Sequence, residues 1–479
     1  MGASVSSMGP SLSFSVLDKA VNVLHTFLPT QYGDVIWSLG SLGYSKSDLS
    51  PVMSDRLLAV LSRVYGKLHV RAAAYTLWGL SKMGFQWDDM RSRTRSLAGG
   101  READPLSDSV SKYLRQRVAS MKEHEYSVLL YSLGGLRVQL QGSPEHTLPS
   151  YVTDKIHHRA TRVSAFLTSR SLANSLYGLG KCGVRWMSLP VETRDAWQDA
   201  MLRTTSPPGP ALAVNARGRD TATERRGLAG MRTVELAQTL FGLGQLQVPW
   251  KSLSLEARTA ILREVEQPST VSSMDPHSLS SGLWGLSAMG CPLQDLPPTL
   301  LATVRSRLWS STIIANNAAS TEIAEQRSEL IPDLQVVSDG EMNPRSASGK
   351  IGFITAEEYR EINRESETRP VSKRGVLTAF EEAGLSLSMG IEAIGRLGAA
   401  LSAEELSTVS LHLQVLAPHM GPDSIVSCAS GLSQLGAQWT DLSLDTRVSW
   451  LATLRSSLGE LSKSKKEDLA VHLTKLKAF

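Results

Sequence analysis

Polar and basic side chains recur along this chain at two fixed distances from a central residue that is usually aromatic. One row lies three residues before the central residue, and the other lies four residues after it. Lysine and arginine can hold phosphates, while amide side chains can pair with the edges of unstacked bases. The two rows therefore predict binding of single-stranded RNA. Their basic and amide members, the candidate contacts, are Lys82, Asn174, Lys181, Gln238, Gln245, Arg396, Gln434 and Lys475.

An ordinary solvated helix face is the alternative interpretation of these two rows. Catalytic and metal-binding sequence patterns are missing from the chain. The ten histidines include no HExxH motif, and the adjacent His157 and His158 would point apart on a helix. Gly178 to Gly183 spells GxGxxG, but it lies inside a helical pattern rather than after a strand. We therefore expect no enzyme activity, no cofactor and no metal site.

The elements that carry the rows are predicted from a recurring phrase, most complete at Leu172 to Trp186. Its order is leucine, an aromatic residue, a small residue, leucine and a closing glycine. The apolar spacing predicts an amphipathic helix, and positions seven residues apart share one face of it. The central positions are Trp37, Trp78, Tyr131, Tyr177, Phe241 and Trp284, with weaker copies around Glu392, Ser430 and Val471.

Glycine has two predicted roles in this phrase. A glycine directly after the aromatic costs a helix about 1 kcal/mol relative to alanine, so we interpret it as a point of close approach by a neighbouring helix. The closing glycine is expected to adopt the left-handed conformation that ends a helix. We also expect the central aromatic side chains to be largely buried against a neighbouring repeat. The internal glycines are Gly79, Gly178, Gly242 and Gly285, and the closing ones are Gly43, Gly84, Gly183, Gly290, Gly398 and Gly436.

A second helix is predicted after each phrase, because the short connection leads into Leu-Pro or Leu-Ser. The clearest second helices run over 191–202, 255–265, 299–308 and 444–458. Tryptophans in the connection are interpreted as buried wedges, with stacking on bases as the alternative, and they are Trp87, Trp186, Trp250 and Trp439. The fold class is therefore all-α. We expect an α-solenoid of stacked helical hairpins, with about eight or nine degenerate repeats of about 38–46 residues.

Four regions follow from this pattern. Residues 1–30 form an extension that is either a targeting segment or a cap, and its Met-Gly start leaves cleavage or lipidation open. Residues 31–309 form a first helical-repeat array with loop insertions near 91–104 and 206–230. Residues 310–373 form an acidic, flexible linker. Residues 374–479 form a second helical-repeat block.

Charge and composition narrow the function classes. Residues 321–368 carry eleven acidic and five basic side chains, so the rest of the chain has a net charge of +10. That balance suits a polyanionic partner, although a basic surface that binds nothing specific is the alternative. No apolar run approaches the ~20 residues of a membrane span. The three cysteines lack CxxC spacing, which predicts reduced core residues in a thiol-keeping compartment.

The phrase, its trailing tryptophan and the Leu-Pro or Leu-Ser helix start resemble the octotricopeptide repeat family of organellar proteins in algae and protists. The resemblance covers Gln31 to Leu308 and Gly375 to Phe479. It implies an α-solenoid in a mitochondrion, or alternatively in a chloroplast or other plastid. It also implies binding of single-stranded or ribosomal RNA, in transcript stabilisation, processing or translation or as a mitoribosome-associated component. Ribosomal or other organellar proteins are the further partners, and a protein-binding scaffold or assembly factor is the alternative function.

Overall fold

The structure, a computed structural model, describes residues 10–91, 104–141, 147–203, 227–308 and 373–478. Within these residues it contains twenty α-helices and no β-strand, so the predicted all-α fold class is confirmed. The predicted linker at 310–373 lies outside the described residues except for its last residue, and most of the insertions predicted near 91–104 and 206–230 lie outside them as well. In chain order the helices are α1 (Pro10–Val23), α2 (Tyr32–Leu42), α3 (Pro51–Tyr65), α4 (Val70–Lys82), α5 (Trp87–Arg91), α6 (Leu106–Arg117), α7 (Glu123–Gly135), α8 (Ser150–Ser164), α9 (Ser169–Lys181), α10 (Val191–Leu202), α11 (Thr233–Gln245), α12 (Leu255–Glu266), α13 (Pro268–Ser273), α14 (Pro276–Ala288), α15 (Pro298–Leu308), α16 (Lys373–Arg396), α17 (Ala403–Leu416), α18 (Pro422–Gln434), α19 (Leu444–Ser457) and α20 (Lys463–Lys475).

The recurring phrase falls on one set of helices, which we call the A helices: α2, α4, α7, α9, α11, α14, α16, α18 and α20. Each A helix packs against the next one in this order. The helices between them, which we call the B helices, are α3, α6, α8, α10, α12, α15, α17 and α19. Most neighbouring B helices also contact each other. The described part of the chain therefore alternates between two sets of helices.

Local signals place the B helices where the sequence predicted them. The observed α10 matches the predicted range, and α12, α15 and α19 each differ from theirs by one residue at one end. Serine at the helix start accepts a hydrogen bond from the backbone N–H three residues later. The donor–acceptor distance is 3.1 Å for Ser254 and for Ser443, which satisfies an otherwise unpaired N–H group.

The closing glycines adopt the predicted left-handed backbone. Their φ angles lie between 71° and 92° at Gly43, Gly84, Gly183, Gly290, Gly398 and Gly436. Side chains with a Cβ rarely adopt this conformation, so glycine at these positions ends the A helix at little cost.

The internal glycines lie where neighbouring A helices approach most closely. A Cβ atom placed on Gly178 would lie 2.4 Å from the carbonyl carbon of Leu130, and one on Gly285 would lie 2.2 Å from the carbonyl oxygen of Leu240. Gly79 and Gly242 meet the backbone of the preceding A helix at similar distances. The predicted role in close helix packing is confirmed.

The connecting tryptophans are buried, as predicted. Trp87, Trp186, Trp250 and Trp439 are at most 8% exposed. The backbone N–H of each also donates to the carbonyl that ends the next A helix, with N···O distances of 2.7–2.8 Å. Lys46 and Leu140 make the same bond in two other connections. We call these recurring bonds the corner hydrogen bonds.

The A helices on either side of residues 309–372 contact each other directly, α14 packing against α16. The B helices α15 and α17 are joined as well. Arg305 of α15 donates to the carbonyl of Ala400 at 2.8 Å, and its Nε lies 3.5 Å from a carboxylate oxygen of Glu405 of α17. The helices before and after residues 309–372 therefore pack against each other as other successive A helices do.

The three cysteines are buried and unpaired, as the sequence predicted. Burial raises the pKa of the Cys291 thiol to about 12, with a smaller contribution from the Asp295 carboxylate. Burial also raises the pKa of Cys182 and Cys428. These thiols therefore remain protonated and unreactive at neutral pH. None of the described helices is long and apolar enough to cross a membrane.

Candidate nucleic-acid interface

The central aromatic residues form one continuous series of ring contacts across six A helices. Neighbouring ring centres are 5.0–6.4 Å apart along Trp37, Trp78, Tyr131, Tyr177, Phe241 and Trp284, which we call the aromatic series. Each of these residues is partly exposed, with most of its surface covered. The expectation that these aromatics are largely buried against a neighbouring repeat is confirmed, and each ring keeps a minor part of its surface open to solvent.

A glycine follows four of the six aromatics, Trp78, Tyr177, Phe241 and Trp284, and helps to explain this geometry. Because it brings the two backbones together, equivalent positions on adjacent helices lie within ring-contact distance. The aromatic residue lies at the open edge of the helix interface, so it both packs and faces outward. From the sequence these residues are expected only to pack, although their register with the two polar rows indicates that they share a surface with them.

Two lysines from the predicted site lie over the rings. The Nζ atom of Lys82 is 5.7 Å from the ring centre of Trp37 and 5.2 Å from that of Trp78. Lys181 Nζ lies at the same two distances from the rings of Tyr177 and Phe241. Both arrangements are cation–π contacts, in which the negative ring face attracts the ammonium group.

Neither lysine is ion-paired with a carboxylate in the described part of the chain, although Lys82 donates to Ser41 Oγ at 3.1 Å. Packing against the rings partly removes both ammonium groups from water and lowers the pKa of Lys82 and Lys181. The positive charge of Arg137 lowers the pKa of Lys181 further, while the Asp423 carboxylate opposes the shift. An anion bound at either lysine would restore a stabilising partner for the charge.

Arg396 differs from the two lysines. Its guanidinium carbon is 5.4 Å from the ring centre of Trp284, so it lies over the last ring of the aromatic series. It also forms an ion pair with the buried Glu392, four residues earlier on α16, at an N···O distance of 2.5 Å. Its charge is therefore already compensated within the protein.

The amide residues are placed in two groups. Gln238 Nε2 donates to Asn174 Oδ1 at 3.1 Å, which joins α11 to α9. Gln245 packs its Cβ atom against Gly180 of α9, next to Lys181. The structure thus brings these three amides and Lys181 together.

The remaining predicted residues lie on α18 and α20. Gln434 donates to Ser430 Oγ at 3.1 Å, and its Cβ atom packs near Gly395, beside Arg396. Lys475 is exposed near the end of α20. The aromatic series ends on α14, so α20 carries none of its rings. Lys82 lies on α4, the second of the A helices in chain order, and is therefore distant in the order of helices from Lys475.

The row that follows the central residue keeps its register from helix to helix. The Cβ atom of Lys82 lies 2.8 Å from where a Cβ on Gly40 would be, and Lys181 has the same relation to Gly134. Gln245 and Gln434 pack in the same way against Gly180 and Gly395. Equivalent side chains are therefore displayed at successive helices along one edge.

A cavity of about 310 Å³ lies beside Lys181, where α7, α9, α11, α14 and α16 converge. Its walls include Tyr131, Tyr177, Gln238, Phe241, His277 and Met389. The sequence does not predict this cavity, because its lining residues come from five helices that are distant in the chain. Part of the signal was present, since Gln238, Ser281 and Met389 all line the cavity and belong to the row that precedes the central residues.

No family model matches the chain, and no curated protein matches it with significant similarity. Among the described residues, no group of three or more histidine, cysteine or acidic side chains is arranged to hold a metal ion. The chemistry available at this surface is that of aromatic stacking, amide hydrogen bonding and unpaired positive charge.

Proposed function

We propose that this protein is an α-solenoid of about eight or nine helical hairpins that binds single-stranded RNA and catalyses no reaction. The observation that carries the proposal is the aromatic series, with Lys82 and Lys181 placed over its rings and without an ion-paired carboxylate among the described residues. The serial packing of the A helices and their recurring glycines support the solenoid arrangement.

The physical match is with a chain that alternates flat bases and phosphates. Bases stack on exposed aromatic faces with little regard to sequence, and lysines beside them hold the backbone. Neighbouring rings of the aromatic series are 5.0–6.4 Å apart, so successive nucleotides of an extended strand can meet successive A helices. The paired amides of Asn174 and Gln238 supply groups that distinguish one base from another.

The proposed setting is an organelle, a mitochondrion in the first place and a plastid as the alternative. This part of the proposal is based on the resemblance to octotricopeptide repeats in the phrase at Leu172 to Trp186. The RNA partner would be an organellar transcript or a ribosomal RNA, with ribosomal or other organellar proteins nearby.

A salt titration of single-stranded RNA binding tests the proposal. Affinity falls as salt rises, so the slope of log affinity against log salt is negative. In the double variant Lys82→Gln/Lys181→Gln, each lost phosphate contact should reduce the magnitude of this slope by about 0.7. Binding at any one salt concentration should weaken as well. Lys112→Gln is the matched control, since it removes the same charge from an exposed position on the B helix α6 and should leave the slope unchanged.

Absence of RNA binding by the wild type at low salt would refute the proposal, as would an unchanged slope in the double variant. Crosslinking in the native compartment would then be expected to recover proteins rather than RNA, which would favour the scaffold function.

The amide pair should determine base preference rather than overall affinity. Replacing Asn174 or Gln238 with alanine removes groups able to pair with a base edge, and such pairs discriminate between bases by about 1–3 kcal/mol. Selection from a random RNA pool should therefore yield a different consensus at one position for these variants, with the salt slope preserved. An unchanged consensus in both variants would contradict this assignment.

A further inference from the structure

We infer that the cavity where α7, α9, α11, α14 and α16 converge binds one unpaired nucleotide of the RNA, with the base inside and the phosphate at Lys181. The inference rests on the proposed function and goes further by assigning a single selective subsite within a surface that otherwise stacks bases without selection. Four properties of the cavity support it, namely its rings, its polar groups, its charge and its size.

The rings of Tyr131 and Tyr177 form part of the wall and are stacked, with ring centres 5.4 Å apart and planes inclined by 26°. The ring of Phe241 continues this surface, 5.7 Å from that of Tyr177. Leu385 and Met389 of α16 also line the cavity. Flat aromatic and apolar groups of this kind favour a planar, aromatic occupant such as a nucleobase.

The polar groups in the wall can read the edge of a base. Gln238 uses one N–H to bond Asn174, which leaves its carbonyl oxygen and its second N–H able to act as acceptor and donor. Ser281 adds a hydroxyl group and His277 adds ring nitrogens, while Ser278 Oγ donates to Asp275 Oδ2 at 3.0 Å and can still act as an acceptor. Neighbouring donors and acceptors are what the Watson–Crick edge of an unpaired base requires.

The charge of the wall favours an anion. Lys181 is a lining residue, and the lining residues include no aspartate or glutamate. Its ammonium lies over the rings of Tyr177 and Phe241 with no carboxylate in ion-pair contact among the described residues. The phosphate of the bound nucleotide would lie beside the Lys181 ammonium, whereas this ammonium would repel a cationic ligand.

The size of the cavity limits the occupant. A volume of about 310 Å³ is at the lower end of the range of small-molecule sites. It suits one nucleotide, whereas a stacked pair of bases or a folded peptide would need more room. The rest of the RNA would continue along the aromatic series on either side.

Titration of the full-length protein with each of the four nucleoside 5′-monophosphates tests the inference, with the matching nucleosides as controls for the phosphate. The wild type should bind one of the monophosphates in preference to the other three and should bind its nucleoside at least tenfold more weakly. Lys181→Gln should remove that difference between nucleotide and nucleoside.

Val234→Trp tests the location, because Val234 lines the cavity but is 55% exposed, so the larger ring can enter the mouth without displacing the core. This variant should weaken monophosphate binding at least tenfold. Val191→Trp is the matched control on α10, with an exposure of 51% at a position that does not line the cavity. It should bind like the wild type. Gln238→Leu is a second cavity variant with the same expected loss if Val234→Trp does not fold.

The RNA experiment separates this inference from the proposed function. Val234→Trp should lose base preference at one position of a bound RNA and should change the salt slope by no more than the single phosphate contact at Lys181, about 0.7. If RNA binds but no monophosphate does, or if the cavity variants bind monophosphates like the wild type, the cavity inference is overturned and the RNA proposal stands. If RNA does not bind the wild type at low salt, the RNA proposal fails, and the nucleotide subsite of an RNA chain fails with it.

Discussion

Replacing Gly285 with alanine is expected to destabilise the protein by about 2 kcal/mol or more, although alanine is the better helix former. The new Cβ would lie 2.2 Å from the carbonyl oxygen of Leu240 and 2.3 Å from its carbonyl carbon. Backbone atoms cannot rotate away as a flexible side chain can, so α11 and α14 would have to separate. That separation would weaken the contacts along the whole interface between the two helices.

Gly282→Ala is the matched control for this prediction, three residues earlier on the same helix. Its Cβ would meet the nearest atom, Leu240 Cδ1, at 3.5 Å, which is an ordinary contact distance. The change should be neutral or should stabilise by up to about 1 kcal/mol through helix propensity. Urea unfolding should show a lower midpoint for Gly285→Ala only. Equal shifts in the two variants would contradict the role assigned to Gly285.

Trp186→Ala is expected to cost about 3–5 kcal/mol of unfolding free energy, the usual range for removing a large buried aromatic side chain. The side chain is 1% exposed and fills the corner between α9 and α10. Its backbone N–H bond to the carbonyl of Leu246, 2.7 Å long, is available to alanine as well, so the loss measures packing.

The neighbouring Met187 provides the control for Trp186. It is 61% exposed, and Met187→Ala should change stability by no more than about 0.5 kcal/mol. Thermal and urea unfolding of both variants measure the difference. A loss below about 1 kcal/mol for Trp186→Ala would mean that the corner tolerates a cavity there and that the tryptophan is no structural wedge.

Local sequence signals predicted the helices well because their causes are local. The closing glycines end the A helices through their own backbone preference, and serines such as Ser254 begin the B helices by accepting one hydrogen bond. The internal glycines identified the helix contacts, because a glycine inside a helix lowers stability unless a neighbouring backbone needs the space of its side chain. These signals need no knowledge of the rest of the chain.

The candidate site was less predictable, because its features depend on distant parts of the chain. A tryptophan such as Trp78 has the same periodic position whether its ring is enclosed or lies at the open edge of an interface. The ion pair of Arg396 could have been found from the spacing of Glu392, four residues earlier on a helix. The cavity beside Lys181 had no such local cause, since five helices must converge to form it.

The corner hydrogen bonds have a consequence for how such a protein can change over generations. They join one backbone to another, so the bond itself requires only that the donor residue is not proline. The residues that we propose face a ligand, such as Gln238 or Lys82, can then be substituted while these bonds between neighbouring helices are preserved. A lineage of proteins built in this way can acquire new binding preferences one position at a time, without first losing its architecture.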